Sequence, residues 1–170
     1  MMWPAAVLAL LLALGHAAPA RADDVTFYDE VRPLPSAVAA AIMCDRVDSG
    51  GMARPFAGGF VFSARCPSNH ANEVKGLVFA EDAEGNGAKT LLFPYPKGAD
   101  PADSLSNVRF YPQSRELTEL WVNPEDDICR TEGRWRLEGA ARAPRLIYWR
   151  ETRDCDGKRG WRVLIDRRRG

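Results

Sequence analysis

The sequence predicts an α+β domain built mostly from antiparallel strands, with one short N-terminal helix packed on about eight short strands and with two disulfides. Three observations predict this class. Apolar residues recur at helical spacing in one stretch, at Leu34, Val38 and Ile42. Short β-prone runs separated by turn residues fill the chain after residue 59. Four cysteines lie outside an N-terminal leader.

The leader is a targeting segment. Ala5 to Gly15 is an unbroken apolar run of eleven residues, whereas a helix needs ~20 residues to cross the hydrocarbon core of a bilayer. Ala20-Arg21-Ala22 then places small residues where a signal peptidase cleaves, directly before Asp23. We therefore predict a signal peptide over 1–22, a single domain over 23–170 and a periplasmic or secreted protein without a membrane span. A short buried helix or a membrane anchor is the alternative interpretation of the leader.

The predicted mature chain keeps 148 of the 170 residues, which is enough for one domain with its own core. It carries 22 basic and 23 acidic side chains, so its formal net charge is −1. A near-neutral chain of this length excludes a large multidomain enzyme, a coiled coil and a highly charged disordered tail.

The first predicted element of the mature chain is the helix. Its apolar residues lie in an Ala-rich stretch that opens with Pro33 and Pro35 and ends near Cys44. The segment 48–59 follows, and because it holds four Gly and one Pro, it is predicted to be a loop.

Short strands make up the rest of the chain. The first has a period of two, which places Phe60, Phe62, Ala64 and Cys66 on one face and Ser63 and Arg65 on the other. The predicted strands cover 60–66, 76–82, 90–95, 108–111, 116–122, 134–137, 146–152 and 161–165. Such a series of strands after one helix predicts an antiparallel arrangement.

A hairpin is predicted between the second and third of these strands. Asn86-Gly87 lies between the two β-prone runs, and this dipeptide favours tight turns. Pro94 and Pro96 cannot donate backbone hydrogen bonds, so the third strand is expected at a sheet edge. The following segment, 97–106, is predicted to be a polar loop.

The predicted mature chain has four cysteines, Cys44, Cys66, Cys129 and Cys155. An even number in an exported protein indicates two disulfides, for which three pairings are possible. We expect Cys44–Cys66 and Cys129–Cys155, because Cys66 shares a strand face with two phenylalanines and Cys44 closes the helix that packs there. Each bridge would contribute roughly 3 kcal/mol. A metal site is disfavoured, since no Cys-x-x-Cys spacing is present and only one His remains.

Conventional catalytic groups are sparse. His70 is the only His of the predicted mature chain and lies in a predicted polar turn, without an evident orienting partner. Acidic side chains form two close pairs and one acidic turn, Glu116/Glu119, Asp126/Asp127 and 154–157. Solvated surface charge explains the pairs better than a glycosidase-like carboxylate pair does, and the turn lacks the later ligands of a calcium loop. We predict no catalytic residue, no metal and no cofactor.

Charge is distributed unevenly. Residues 23–120 carry 9 basic and 14 acidic side chains, whereas 121–170 carry 13 basic and 9 acidic ones. The second part contains a candidate binding face composed of Arg134, Trp135, Arg136, Trp149, Arg150, Trp161 and Arg162. Arginine beside tryptophan favours anion or glycan binding through charge and cation–π stacking. The simpler interpretation is that each Trp faces the core while its Arg neighbours point outward, as strand alternation alone produces.

Two segments near the last two cysteines resemble a family of bacterial exported proteins. They are 126–139 (DDICRTEGRWRLEG) and 146–164 (LIYWRETRDCDGKRGWRVL), and the family is known as domain of unknown function 1176. The positions that carry the resemblance are Cys129, Trp135, Glu138-Gly139, Leu146, Cys155, Gly157, Trp161 and Leu164. Leu137 and Arg162 depart from the family's pattern. Because the family has no established activity, the resemblance implies export and disulfides but no catalytic residues.

These observations favour a non-enzymatic periplasmic domain that binds a component of the bacterial envelope. The partner would be a glycan, a lipid head group or a protein, including a hydrolase that it inhibits. The alternatives are a hydrolase acting on envelope polymers and a structural or assembly accessory of the envelope. A nucleic-acid partner is not expected for an exported protein.

Overall fold

The computed structural model of the protein describes residues 33–44, 51–126, 128–139, 142–152 and 160–168. This part of the chain is mostly antiparallel β-sheet with one short α-helix, which confirms the predicted α+β class. It contains ten strands, whereas the sequence predicted about eight. None of the helices that the structure describes is long and apolar enough to cross a bilayer.

The elements form two sheets of five strands each. In chain order they are α1 (Ser36–Ala41), β1 (Met52–Phe56), β2 (Gly59–Arg65), β3 (Val74–Ala80), β4 (Lys89–Thr90), a 3₁₀ turn (Pro96–Gly98), β5 (Ser104–Ser106), β6 (Arg109–Tyr111), β7 (Glu116–Val122), β8 (Arg130–Glu138), β9 (Ala143–Thr152) and β10 (Trp161–Asp166). The N-terminal sheet has the order β1-β2-β3-β4, with β5 also paired to β3. The C-terminal sheet has the order β10-β9-β8-β7-β6.

The main core contains apolar side chains from both sheets. The N-terminal sheet and the segment after β4 contribute Phe56, Val61, Leu77, Phe79, Leu91, Phe93 and Leu105, and the C-terminal sheet contributes Phe110, Leu117, Trp135, Leu137, Leu146 and Trp149. Alternation along the strands directs these residues to one side of their sheet, and on β9 a register shift against β8 brings both Leu146 and Trp149 to that side. The two sheets therefore bury one face of each against the other.

The helix packs on the opposite face of the N-terminal sheet. Val38 and Ile42 of the helix segment form a second core with Phe62, Ala64 and other residues of β2 and β3. This arrangement confirms the predicted amphipathic helix and the face of β2 that the sequence assigned to it. The other face of β2 is also largely buried, since Val61 and Ser63 point toward the main core.

Asparagine side chains connect the two sheets. Asn72 donates from Nδ2 to the Val122 carbonyl at 2.7 Å and accepts from the Val122 N–H at 2.9 Å. Asn107 donates to the Leu120 carbonyl at 2.9 Å and accepts from the Glu73 N–H at 3.0 Å. These bonds satisfy backbone groups of β7 and of the segment before β3, which positions the C-terminal sheet on the N-terminal one.

The predicted loop 48–59 was wrong in part, because it contains β1. Ala57 and Gly58, with φ of 55° and 82°, form the two-residue turn that joins β1 to β2. Gly59 lies against the Phe79 ring and the Ala80 carbonyl, where a Cβ has no room. Pro55 is tolerated because β1 is an edge strand. The glycines and the proline thus serve a tight hairpin, although their density is typical of a loop.

The predicted polar loop 97–106 was also wrong in part. It contains β5, a three-residue strand in which Leu105 is buried and its Ser neighbours pair with β3. A single apolar residue between two serines is too short a pattern for periodicity to detect. The predicted hairpin is confirmed by the antiparallel pairing of β3 with β4 at the sheet edge. The predicted strand 90–95 was wrong for the most part, because β4 covers only Lys89–Thr90 and ends before Pro94.

One disulfide, Cys44–Cys66, is present among the described residues and joins the end of the helix segment to the end of β2, with the two Cα atoms 5.5 Å apart. This confirms the first predicted pairing. The second pairing, Cys129–Cys155, includes a residue outside the described part of the chain and stays a prediction. The predicted signal peptide lies outside it as well.

The turn between β6 and β7 offers a test of backbone strain. Arg115 has a φ of 56°, a conformation that disfavours every side chain larger than that of glycine. We expect Arg115→Gly to raise the free energy of unfolding by about 0.5–1 kcal/mol in urea denaturation. Gln113→Gly, in the same turn at ordinary φ, is the matched control and should stabilise nothing. Equal stabilisation by both variants would contradict this explanation.

Candidate functional site

Strand alternation separates the tryptophans of the candidate face. Trp135 is fully buried and Trp149 nearly so, and both belong to the main core. They are therefore not surface residues, and for these two the simpler interpretation of the Trp/Arg pattern is confirmed. Trp161 on the edge strand β10 is 36% exposed and remains at the surface.

The buried tryptophans form an aromatic cluster between the sheets. The Trp135 ring makes edge-to-face contacts with Phe93, Tyr95 and Trp149 at centroid distances of 5.5, 5.9 and 6.1 Å. Its indole N–H donates to the Pro94 carbonyl at 2.8 Å. Trp135 thus satisfies its one polar group while its ring fills the core, as buried tryptophans generally do.

The arginines lie on the side of the C-terminal sheet that points away from the main core. We call this side the outer face. The outward positions of β6 to β9 carry six arginines and three glutamates, namely Arg109, Arg130, Arg134, Arg136, Arg145 and Arg150 with Glu116, Glu132 and Glu138. Their formal net charge is +3. The outer face is therefore cationic, although the formal net charge of the whole chain is zero.

Ion pairs order part of the outer face. Arg136 lies 2.8 Å from Glu116, and Arg134 lies 3.4 Å from the same carboxylate. The Nε of Arg150 donates to Glu132 at 2.7 Å. These side chains are only partly exposed, so the pairs hold the guanidinium groups in defined positions.

Aromatic rings stack with arginines of the same face. The Arg150 guanidinium lies 4.0 Å from the centroid of Trp161, and that of Arg134 lies 5.8 Å from the centroid of Tyr111. Cation–π contact of this kind leaves the N–H groups at the edge of the guanidinium available for an anion. The outer face thus combines flat aromatic surfaces with oriented cations.

Arg162 does not lie on the outer face. It is the register partner of Glu151, forms an ion pair with it, and alternates with Trp161, which lies over Arg150. Its side chain therefore points to the opposite side of β10 from the outer face. The predicted grouping of Arg162 with Arg134 and Arg150 is corrected on this ground.

The acidic pair Glu116/Glu119 is split by the sheet. Three residues apart on one strand, the two side chains point to opposite faces. Glu116 contacts the outer arginines, whereas Glu119 points inward, accepts from the Tyr95 hydroxyl at 2.9 Å and from the Ser106 N–H at 2.8 Å, and is 4% exposed. Both glutamates are buried, so their interpretation as solvated surface charge was wrong, and their opposite orientations exclude a shared catalytic role.

Glu119 titrates unusually because it is buried. Desolvation raises its pKa above the ordinary Glu range, and the hydrogen bonds from Ser106 and Tyr95 oppose this only in part. Burial also raises the pKa of the Tyr95 hydroxyl, with a further contribution from the Glu119 charge. The folded protein therefore holds the proton of Glu119 more tightly than the unfolded chain does.

A raised pKa makes stability depend on pH with a definite sign. The contribution of Glu119 is fully present below its unfolded pKa and is lost as the pH rises through its folded pKa, at about 1.4 kcal/mol per unit of separation. We expect Glu119→Gln to remove this loss, so that the variant gains stability relative to wild type as the pH rises above the ordinary pKa range of Glu. Chemical denaturation at several pH values measures it. The exposed Glu125→Gln should keep the wild-type profile, and a Glu119→Gln profile parallel to wild type would contradict the assignment.

The other candidate groups show no catalytic arrangement in the described part of the chain. His70 is exposed in a turn, and no hydrogen bond or ion pair joins its side chain to another described residue. Asp126 accepts the backbone N–H groups of Ile128 and Cys129 in a local turn. Asp127 and 154–157 lie outside the described residues. No group of His, Cys, Asp and Glu among those described is arranged to hold a metal ion.

One concave part of the outer face was missed by the sequence analysis. A cavity of about 210 Å³ is lined by Arg109, Tyr111, Thr118, Leu120, Glu132 and Arg134, together with Asn107 and the Glu119 segment. Only Arg134 belonged to the predicted candidate face. The available signal was that Thr118 and Leu120 alternate along the strand with Leu117 and Glu119 and so share its other face. That β6 and β8 lie on either side of β7 follows only from the strand order.

Comparison with known proteins does not assign the chain to a family. The chain matches no protein-family model, no curated protein and no solved structure. The resemblance to domain of unknown function 1176 therefore stays a prediction, and function is argued from the residues themselves.

Proposed function

We propose that the protein is a non-enzymatic periplasmic binding domain that contacts a component of the bacterial envelope through its outer face. The observation that carries this proposal is the excess of positive charge on that face, where ion pairs and aromatic rings hold the guanidinium groups in place. Arg presents a planar fork of donors suited to carboxylate and phosphate groups, which are abundant in the envelope.

The arrangement of the conventional catalytic groups favours binding over hydrolysis. Glu116 and Glu119 lie on opposite faces of the sheet, and the His70 side chain has no orienting partner among the described residues. A general base needs to lie within reach of both its orienting group and its substrate. The leader and the Cys44–Cys66 bridge agree with export to an oxidising compartment.

The test compares envelope fractions. Mature oxidised protein is mixed with purified peptidoglycan, with vesicles containing an anionic phospholipid, and with periplasmic extract, and the bound fraction of each is measured. We expect one of the three to retain the protein, and Arg134→Gln/Arg136→Gln/Arg150→Gln to reduce retention at least tenfold. Thermal unfolding confirms that the variant is folded.

Two single variants serve as controls. Arg162→Gln changes an arginine on the other side of the sheet, and His70→Ala changes the one His of the predicted mature chain; both should bind like wild type. If His70→Ala abolished a measurable hydrolytic activity on an envelope polymer while the triple variant was silent, the protein would be a hydrolase. If no fraction retained the wild-type protein, a structural or assembly role would replace the binding proposal.

A further inference from the structure

We propose that the cavity between Arg109 and Arg134 is a specific site for an oxyanion, a carboxylate or phosphate group borne by an envelope saccharide. We call it the oxyanion pocket. The inference rests on the proposed function, because it assigns a ligand chemistry to one part of the outer face.

Strand register places the two arginines on either side of one threonine. Arg109 pairs with Thr118, and Thr118 pairs with Arg134, so the three residues form a row across β6, β7 and β8. Directly paired residues of neighbouring antiparallel strands share a face, and each strand lies about 5 Å from the next. The two guanidinium groups can therefore reach one ligand above Thr118, which is 7% exposed and forms the floor.

The carboxylates of the outer face leave these two cations incompletely compensated. Glu116 lies closer to Arg136, at 2.8 Å, than to Arg134, at 3.4 Å. Glu138 pairs with Arg145 at 3.1 Å. The three glutamates of this face thus contact Arg134, Arg136, Arg145 and Arg150, and because none of them contacts Arg109, the oxyanion pocket keeps positive charge.

The acidic residues that border the pocket are already engaged. Glu132 accepts two hydrogen bonds from Arg150, one of them from Nε at 2.7 Å. The Glu119 carboxylate points into the main core, toward Tyr95 and Ser106. Neither carboxylate neutralises Arg109, whose side chain forms no hydrogen bond or ion pair with another described residue.

Some donor groups of the residues that line the cavity are not used within the described part of the chain. The Nε of Arg134 is buried and has no hydrogen-bond partner in the described part of the chain. The Thr118 hydroxyl likewise donates to none of the described residues, and the Tyr111 ring stacks on Arg134 at 5.8 Å. The guanidinium of Arg109 and the hydroxyl of Thr118 are therefore donors at the cavity that no described residue uses, and an oxyanion supplies the acceptors they lack. Tyr111 and Leu120 add flat and apolar surface, which suits a sugar ring that carries the anionic group.

The test is an NMR titration of ¹⁵N-labelled mature protein at constant ionic strength. The probes are sodium phosphate and D-glucuronate in separate arms, with sodium chloride as the control salt. We expect saturable shifts at the amides of Arg109, Thr118 and Arg134 with at least one probe, and the stronger arm identifies the preferred oxyanion. Arg109→Gln/Arg134→Gln should weaken binding at least tenfold, and the conservative Arg109→Lys/Arg134→Lys should recover part of it.

The matched control is Arg65→Gln/Arg162→Gln, which removes two exposed arginines that lie outside the outer face. It should bind both probes like wild type. Absence of saturable shifts at the three amides, or equal loss in the two double variants, would overturn the pocket. If Arg109→Gln/Arg134→Gln kept both its affinity for the probes and its retention by the envelope fractions, the inference would fail while the proposed function stood. If no fraction retained the wild-type protein either, both would fail.

Discussion

Replacing Trp135 by alanine is expected to lower the free energy of unfolding by about 3–5 kcal/mol. The side chain is fully buried, touches three other aromatic rings and donates a hydrogen bond to the Pro94 carbonyl. Truncation leaves a large cavity between the two sheets and removes the donor to a carbonyl in the core. Small domains are stable by about 5–15 kcal/mol, so this loss is a large fraction of the total.

Trp161→Ala is the matched control, since it truncates the same residue type on the same sheet at a surface position. It should cost less than about 1 kcal/mol, mainly through the lost stacking on Arg150. Guanidinium denaturation measures both variants, and Trp135→Phe provides an intermediate loss if Trp135→Ala does not fold. Equal losses for Trp135→Phe and Trp161→Ala would contradict the assignment of Trp135 to the core.

The second large effect is expected when the Cys44–Cys66 bridge is removed. The bond closes a segment with a sequence separation of 22, for which the chain-entropy model gives about 3 kcal/mol. It also fixes the helix to the N-terminal sheet above Gly76, where an added Cβ would lie 3.1 Å from the Cys44 sulfur. We therefore expect Cys44→Ser/Cys66→Ser to lose about that much stability.

Hydrogen exchange distinguishes this effect from a general loss. The amides of α1 should exchange faster in the double variant than the lower overall stability explains, while the main core keeps its relative protection. Met43→Ser, next to Cys44 but 60% exposed, is the control and should change stability by less than about 0.5 kcal/mol. An unchanged denaturation midpoint in the double variant would refute the structural role of the bridge.

Local patterns were enough to predict most of the elements. The four-residue spacing of apolar residues predicted the helix, and the alternation from Phe60 predicted both β2 and the face that packs on α1. The predicted strand 116–122 coincides with β7. These predictions succeeded because burial on one face repeats with the period of the backbone.

Other features depend on contacts that are distant in sequence. The sequence analysis missed β1 because the glycines around it are typical of a loop. One of them, Gly59, is required because the Phe79 ring on β3 leaves no room for a Cβ, and a local pattern does not show this contact. The alternation rule correctly separated Trp135 from Arg134, but no local pattern places Arg109 beside Arg134. That juxtaposition follows from the strand order β6-β7-β8. The candidate face was therefore half predicted, and its concave part was not.

The central claim is that the protein binds its envelope partner through the outer face. The most direct measurement is crosslinking in living cells, with a photoreactive amino acid at one of two positions. One is Tyr111 on the outer face, and the other is Leu92, which is 52% exposed in the segment after β4. Our account expects a discrete adduct at position 111, its loss when Arg109→Gln and Arg134→Gln are added, and none at position 92. An adduct at position 92 with none at position 111 would contradict it.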